Sequence, residues 1–182
     1  DSTARLMGRI TLNPIPHIDL WWTILLPILL ILSGSRFIFG GAKPVPVNQI
    51  HFTNPRQDMM WVALAGPVAN LVAAFIFSLV FHGIKIAAGS TSSALLLNII
   101  MPVLYMLQVA VMINVVLAVF NLIPVPPLDG SRVIIGILPI EVSEKIALLE
   151  PYGLPILIVL IFTGIVHRFI GPIVWFLLRT LL

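Results

Sequence analysis

Cysteine is absent from this chain of 182 residues. That excludes disulfides and any metal site built on thiolates. A metal here has to be held by His, Asp or Glu, a donor set that suits zinc. Charge is scarce as well. Asp, Glu, Lys and Arg together make up 9% of the chain, against about a quarter in an ordinary soluble domain. The formal charge of +3 is scattered rather than gathered into a basic tract, so nucleic acid is not expected as a partner. No internal repeat, low-complexity tract or soluble second domain is visible.

What remains is apolar. Hydrophobic residues make up 59% and the mean hydropathy is +1.12, which points to a multi-pass integral membrane protein. Four apolar segments stand out, 20–39, 59–81, 95–120 and 152–178, to be compared with the ~20 residues that cross a bilayer as a helix. Pro27 and Gly34 leave the first open as a kinked span or a re-entrant segment. The second carries small residues at Ala63, Ala65, Gly66, Ala69, Ala73 and Ala74, which allow close helix packing. The fourth, interrupted by His167 and Arg168, is one tilted span or a bent pair. Residues 1–19 are more polar; Arg5–Leu12 reads as a strand or hairpin bent at Gly8, and Lys43–Val47 as a second edge strand. The expected fold is an all-α polytopic membrane protein with a small β element at one interface. It would form a single membrane-embedded domain over 1–182. The scattered Lys and Arg leave orientation open.

The chemistry concentrates in Asn121-Leu-Ile-Pro-Val-Pro-Pro-Leu-Asp129-Gly130. A carboxylate directly after a long apolar run is costly at membrane depth and calls for a partner, a metal or an opposite charge. Pro124, Pro126, Pro127 and Gly130 break any helix there. Broken backbone at that depth belongs where it is buried in protein or lines a polar cavity. The plain alternatives are that Asp129 caps the following helix, that Asn121 and the prolines only shape the turn, and that Asn70 hydrogen-bonds between helices. His17 and Asp19 read first as an interfacial pair that orders the N-terminal segment, and otherwise as supports near a metal. His51, His82 and His167 are expected at loops or interfaces, solvated.

Four ordered blocks carry a resemblance. They are Thr3-Ala-Arg-Leu-Met-Gly-Arg-Ile-Thr-Leu-Asn-Pro14 with His17-Ile-Asp19, Ala42-Lys-Pro-Val-Pro-Val-Asn48, Ala65-Gly-Pro-Val-Ala-Asn70 and Asn121–Gly130. Together they resemble the site-2 protease family of zinc intramembrane metalloproteases, in its compact prokaryotic form without a PDZ domain. The resemblance implies one zinc ion held by two histidines of a His-Glu-x-x-His helix and by the aspartate matching Asp129. The Glu of that helix is the general base, and water takes the fourth position on the metal. It also implies that Asn70 and the loop bearing Asn121, Pro124, Pro126, Pro127 and Gly130 shape the site, and that the two edge strands hold an unwound substrate by strand addition.

The chain departs from that pattern in one respect. Its four histidines are followed four positions later by Trp21, Pro55, Ile86 and Gly171, and none precedes a Glu. The His-Glu-x-x-His helix is therefore expected upstream of Asp1, and no catalytic residue is assigned within these 182 positions. The function implied is that of a portion of a zinc metalloendopeptidase, inactive alone if that helix is truly missing, which cleaves transmembrane protein or peptide substrates within the lipid bilayer of a prokaryotic cell. A non-catalytic scaffold binding transmembrane partners is the first alternative. A small ion or proton transporter is the second, though the internal repeats common in transporters are missing.

Overall fold

A computed structural model describes residues 3–9, 11, 13–34, 40–43, 45–89 and 94–182. They form two compact units, Asp1–Pro55 and Arg56–Leu182.

The N-terminal unit is short and turn-rich. Helix α1 (Thr3–Leu6) is a single turn. Gly8, at φ +64°, ends it: Arg9 N–H donates to Ala4 O at 2.8 Å and Gly8 N–H to Arg5 O at 3.0 Å. This crossed pair is the glycine-terminated helix end in which left-handed backbone lets the last carbonyls find donors. It corrects the expectation of a strand over Arg5–Leu12. The amides that a strand would offer to a neighbour are consumed locally, and no strand forms among the described residues. Ile10, Leu12 and Pro44, which belonged to the two strand assignments, lie outside them.

Helix α2 opens as a π-helical segment, Leu20–Leu25, and continues as α-helix over Leu26–Leu32. Asp19 caps it, its Oδ1 accepting from Trp21 N and Trp22 N at 2.9 Å each. Thr23 returns the favour, with Asp19 N donating to Thr23 Oγ1 at 2.9 Å and Thr23 Oγ1 donating to Gly41 O at 2.6 Å. Leu20–Leu32 is a shorter apolar helix, about 20 Å long at 1.5 Å per residue and below bilayer thickness. The remainder of the segment expected over 20–39 includes 35–39, outside the described residues.

The second unit is helical. Helix α3 (Pro55–Gly89) begins with proline at its first position, where the missing N–H costs nothing. Helix α4 (Ala94–Asn121) follows, then two short helices, α5 (Asp129–Ile137) and α6 (Ile140–Ala147), and the pair α7 (Gly153–Phe162) and α8 (Ile165–Leu181). Among the described residues, three stretches are long and apolar enough to cross a membrane: Pro55–Gly89, Asn98–Asn121 and Ile140–Phe162. The segment expected over 152–178 is a bent pair, broken at Gly164 with φ +74°.

The core lies where α3, α4 and α8 meet. Ala63, Pro67, Ala74, Ser78 and Phe81 form the buried stripe of α3, at spacings that keep one helix face. Val111, Val115, Ala118 and Val119 form that of α4. Ala74, Val111, Val115 and Val119 make the central cluster, and Ile170, Val174 and Leu178 of α8 pack on it. Small side chains on α3 let the helices approach closely where lipid offers no hydrophobic drive. Ser78 Oγ and His82 Nε2, the latter at 3.2 Å, both donate to Leu181 O. His82 is thus half-buried and holds the end of α8, where sequence reasoning had it solvated.

Arg56 ties the short helices to the start of α3. Its Nε donates to Ile135 O at 2.6 Å and its guanidinium to Ser143 Oγ at 3.0 Å. Ile135 lies in the last turn of α5, whose carbonyls favour a cation. Gly136 is forced by the same junction, because a β-carbon there would stand 2.5 Å from Met60 Cβ.

Candidate functional site

The site is built from α3, the turn after α4 and the start of α5. Helix α4 ends at Asn121, and the chain turns using mostly its own hydrogen bonds. Ile123 N donates to Phe120 O at 3.1 Å, Val125 N to Ile123 O at 2.8 Å and Leu128 N to Val125 O at 3.0 Å. Pro124, Pro126 and Pro127 carry no N–H, so the turn has three fewer donors that would need a partner away from water. Pro126 and Leu128 are buried, Asn121 is half-buried, and Pro124 and Pro127 are exposed.

Two glycines clamp this turn. A β-carbon on Gly130 would stand 2.3 Å from Leu122 O and 2.5 Å from Ile123 O, and one on Gly153 would stand 2.3 Å from Pro126 O. Nothing larger than hydrogen fits at either point. The turn therefore folds back on its own beginning and is pressed by the start of α7. Ser131, buried, closes the junction by donating from N and Oγ to Leu128 O at 3.1 and 2.7 Å.

Asp129 is the first residue of α5. Leu128 takes the cap position and no side chain caps the helix, so the carboxylate is not consumed as an N-cap. It points across to α3, where a β-carbon on Gly66 would lie 3.1 Å from Asp129 Oδ2. Two of the four sequence blocks thus meet face to face. Asn70 sits one turn further along α3 than Gly66, half-buried, on the same side of the helix by its spacing. Asp129 lies between the stretches Asn98–Asn121 and Ile140–Phe162. Burial raises its carboxyl above the ordinary carboxylate range, and the Arg132 guanidinium opposes that rise.

Arg132, three residues on, joins the site from below. It approaches Glu150 Oε1 at 3.7 Å and Met59 Sδ at 3.8 Å. With both charged groups well exposed, the pair contributes little to stability. Beside the turn lies an apolar cavity of about 500 Å³ lined by Leu71, Ala118, Leu122, Ile123, Pro124 and residues of α7 and α8 such as Leu160 and Phe169.

His17 and Asp19 belong to the N-terminal unit. Asp19 is the cap of α2 described above, and His17 Nε2 lies 3.4 Å from Thr11 O. Among the described residues no three His, Cys, Asp or Glu side chains gather closely enough to hold a metal ion. Asp129 suits the role of one donor: an uncapped carboxylate oxygen facing a side-chain-free stretch of helix. In the sequence Gly66 reads as a packing residue within the Ala65–Asn70 block, Glu150 as part of a polar surface segment, and neither these nor Arg132, Ser131 and Gly153 receive a role at the site. Arg132 was within reach, since i and i+3 share a helix face. Gly153 gave no local sign, because its constraint comes from Pro126, far away in sequence.

A sequence model of peptidase family M50 matches residues 26–164. The chain belongs to peptidase family M50, the site-2 protease family. Three relatives are each named as a "putative zinc metalloprotease". One, YwhC of Bacillus subtilis, is 39% identical over 94% of this chain and 73% of its own length. Another, Rip2 of Mycolicibacterium smegmatis, is 32% identical over 97% of this chain and 62% of its own. A third, MJ0611 of Methanocaldococcus jannaschii, is 33% identical over 59% of this chain and 47% of its own. No solved structure matches. The M50 match begins inside α2 and ends at the α7–α8 break, so it contains both Gly66 and Asp129.

Proposed function

We propose that this M50 chain is the portion of a zinc metalloendopeptidase that supplies the carboxylate ligand and the surrounding wall of the active site. The substrate would be a peptide bond in or beside a membrane-spanning segment of another protein. The observation that carries this reading is the face-to-face placement of Asp129 and Gly66, with the carboxylate free of capping duty. Asp129 would be the one group of this chain that holds the metal. Two histidines and a glutamate would come from a His-Glu-x-x-His helix outside the present sequence. When bound, such a zinc ion supplies Lewis-acid activation of water and of the peptide carbonyl.

The residues of this chain then have separable tasks. Gly66 leaves room at the carboxylate. Gly130 and Gly153 hold the turn so that Asp129 starts α5 in a fixed direction, which matters because a metal ligand must be placed within a fraction of an ångström. Asn70 and Asn121 offer amide donors and acceptors beside the reacting bond. The apolar cavity at Leu122–Pro124 would receive side chains of the substrate segment.

The test uses the complete natural protein. Zinc content near one ion per chain, lost together with peptide cleavage in Asp129→Ala, supports the proposal. Retained zinc with unchanged cleavage in that variant rules out Asp129 as a ligand. Absence of zinc and of cleavage in the unsubstituted protein favours a non-catalytic membrane scaffold instead.

A further inference from the structure

A second pocket shares no lining residue with the cavity beside the Asp129 turn. The long apolar run of α3 ends at Phe81, and the next polar residues are His82 and Lys85. His82 bonds Leu181 O, so the end of α8 is at the level where the apolar part of α3 stops. At that level, between α4 and α8, is a cavity of about 460 Å³ whose walls include Tyr105, Gln108, Met112, Trp175, Leu178 and Arg179. Its volume is in the range of ordinary ligand pockets, about 300–1,000 Å³.

Its chemistry has two halves. Val109, Met112 and Leu178 are apolar and continue the seam between α4 and α8 toward the buried core. Arg179, Gln108 and Tyr105 are polar, and no Asp or Glu is among the residues lining the cavity. The Arg179 guanidinium lies over the Trp175 ring, 5.1 Å from its centroid, a cation–π contact. A guanidinium carries N–H groups in one plane that can take a phosphate by two bonds. Trp175 and Arg179 stand in the last turns of α8; tryptophan at the edge of an apolar helix marks headgroup level, and an arginine there keeps its charge at the interface.

We propose that this pocket is a binding site for an anionic phospholipid. Arg179 takes the phosphodiester, Gln108 and Tyr105 hydrogen-bond the headgroup, and an acyl chain lies along Val109, Met112 and Leu178. Charge complementarity selects the occupant: of the side chains that line the pocket, Leu182 among them, only Arg179 is charged, and a guanidinium above an apolar slot suits an amphiphile with a negative head. The site is separate from Asp129 and does not depend on the proteolytic assignment.

The experiment is native mass spectrometry of the purified full-length protein, loaded in turn with phosphatidylglycerol, phosphatidylcholine or inorganic phosphate. The expected result is one phosphatidylglycerol retained per chain, preferred roughly tenfold over phosphatidylcholine, whose phosphodiester is the same but whose trimethylammonium group is repelled by Arg179. Arg179→Gln should abolish that preference and Arg179→Lys should weaken it. Arg168→Gln, an exposed arginine on the same helix that does not line the pocket, should leave it intact. Met112→Trp, which fills the slot while keeping Arg179, should displace the lipid, and this variant guards against a misfolded Arg179→Gln. The proposal is overturned by equal retention of the two lipids, by equal loss in Arg168→Gln and Arg179→Gln, by complete displacement of lipid by inorganic phosphate, or by a lipid-free dimer that Arg179→Gln dissociates.

Discussion

Asp129 Oδ2 and Gly66 face each other so closely that a single added methyl group at Gly66 would stand 3.1 Å from the oxygen. Helix α3 leaves a notch there, and the carboxylate occupies the space in front of it. Gly66→Ala in the complete protein should shift Asp129 by a few tenths of an ångström without unfolding α3, since alanine favours helix over glycine by about 1 kcal/mol. Zinc affinity, measured by competition with a chromogenic chelator, should fall by about 10- to 100-fold, the usual cost of disturbing a ligand's surroundings. Unaltered affinity would mean that the carboxylate can move away freely and that the notch has no role.

Gly130 and Gly83 make a matched pair for the turn. A β-carbon at Gly130 would meet backbone oxygen at 2.3 Å, whereas one at Gly83 meets nothing within 4 Å. Gly130→Ala should destabilise by about 2 kcal/mol or more, because backbone must shift to make room. Gly83→Ala, in the interior of α3, should stabilise by about 0.5–1 kcal/mol. Thermal unfolding in detergent compares them directly, and equal melting temperatures would contradict the packing described for the turn.

Arg56 gathers three elements through Ile135 O and Ser143 Oγ. Arg56→Ala removes both bonds and strips a cation from the last turn of α5. The expected loss is about 1–3 kcal/mol, the range for hydrogen bonds made by a charged donor. The break should be local, so limited proteolysis ought to cut first within 135–143. Protection there equal to that of the unsubstituted protein would show that Ser143, which also bonds Ile135 O at 2.9 Å, holds the junction alone.

Asp19 separates a structural from a metal-supporting role. Asp19→Ala should cost the start of α2 about 1 kcal/mol, and Asp19→Asn much less, since asparagine caps nearly as well. Hydrogen exchange at the Trp21 and Trp22 amides reads the cap. Zinc content of the complete protein reads the other role: it should stay the same in both variants if capping is all that Asp19 does, and a fall in Asp19→Asn would give it a part near the metal.

Much of the helical architecture was legible in the sequence because lipid imposes so few solutions. Runs such as 59–81 and 95–120 could be nothing but helices, and they became α3 and α4, each somewhat longer than the apolar run itself. The bend in the last segment was also foreseeable as one of two choices; Gly164 decides it by adopting a left-handed turn. The strand over Arg5–Leu12 failed for a local reason. Alternation suggested a pleat, but Gly8 permits the crossed hydrogen bonds that finish a helical turn, and local bonds form without waiting for a partner strand. His82 failed for a non-local one. Its acceptor, Leu181 O, lies 99 positions away, and no window of sequence around His82 contains it. At the candidate site, the motif identified Asp129 and Gly130, while the reason for Gly130 (contact with Leu122 and Ile123) and the opposing notch at Gly66 depend on how the turn folds back.

The pairing of Ser78 and His82 with Leu181 O has a consequence for biosynthesis. Ribosomes work from the N-terminus, so α3 enters the bilayer while the carbonyl that satisfies its two donors is still 103 residues from being made, counted from Ser78. Until α8 arrives, the Ser78 hydroxyl and the His82 imidazole are without that acceptor. Ribosome-nascent chains stalled before Leu181 should therefore be held by the translocon longer than those released after it.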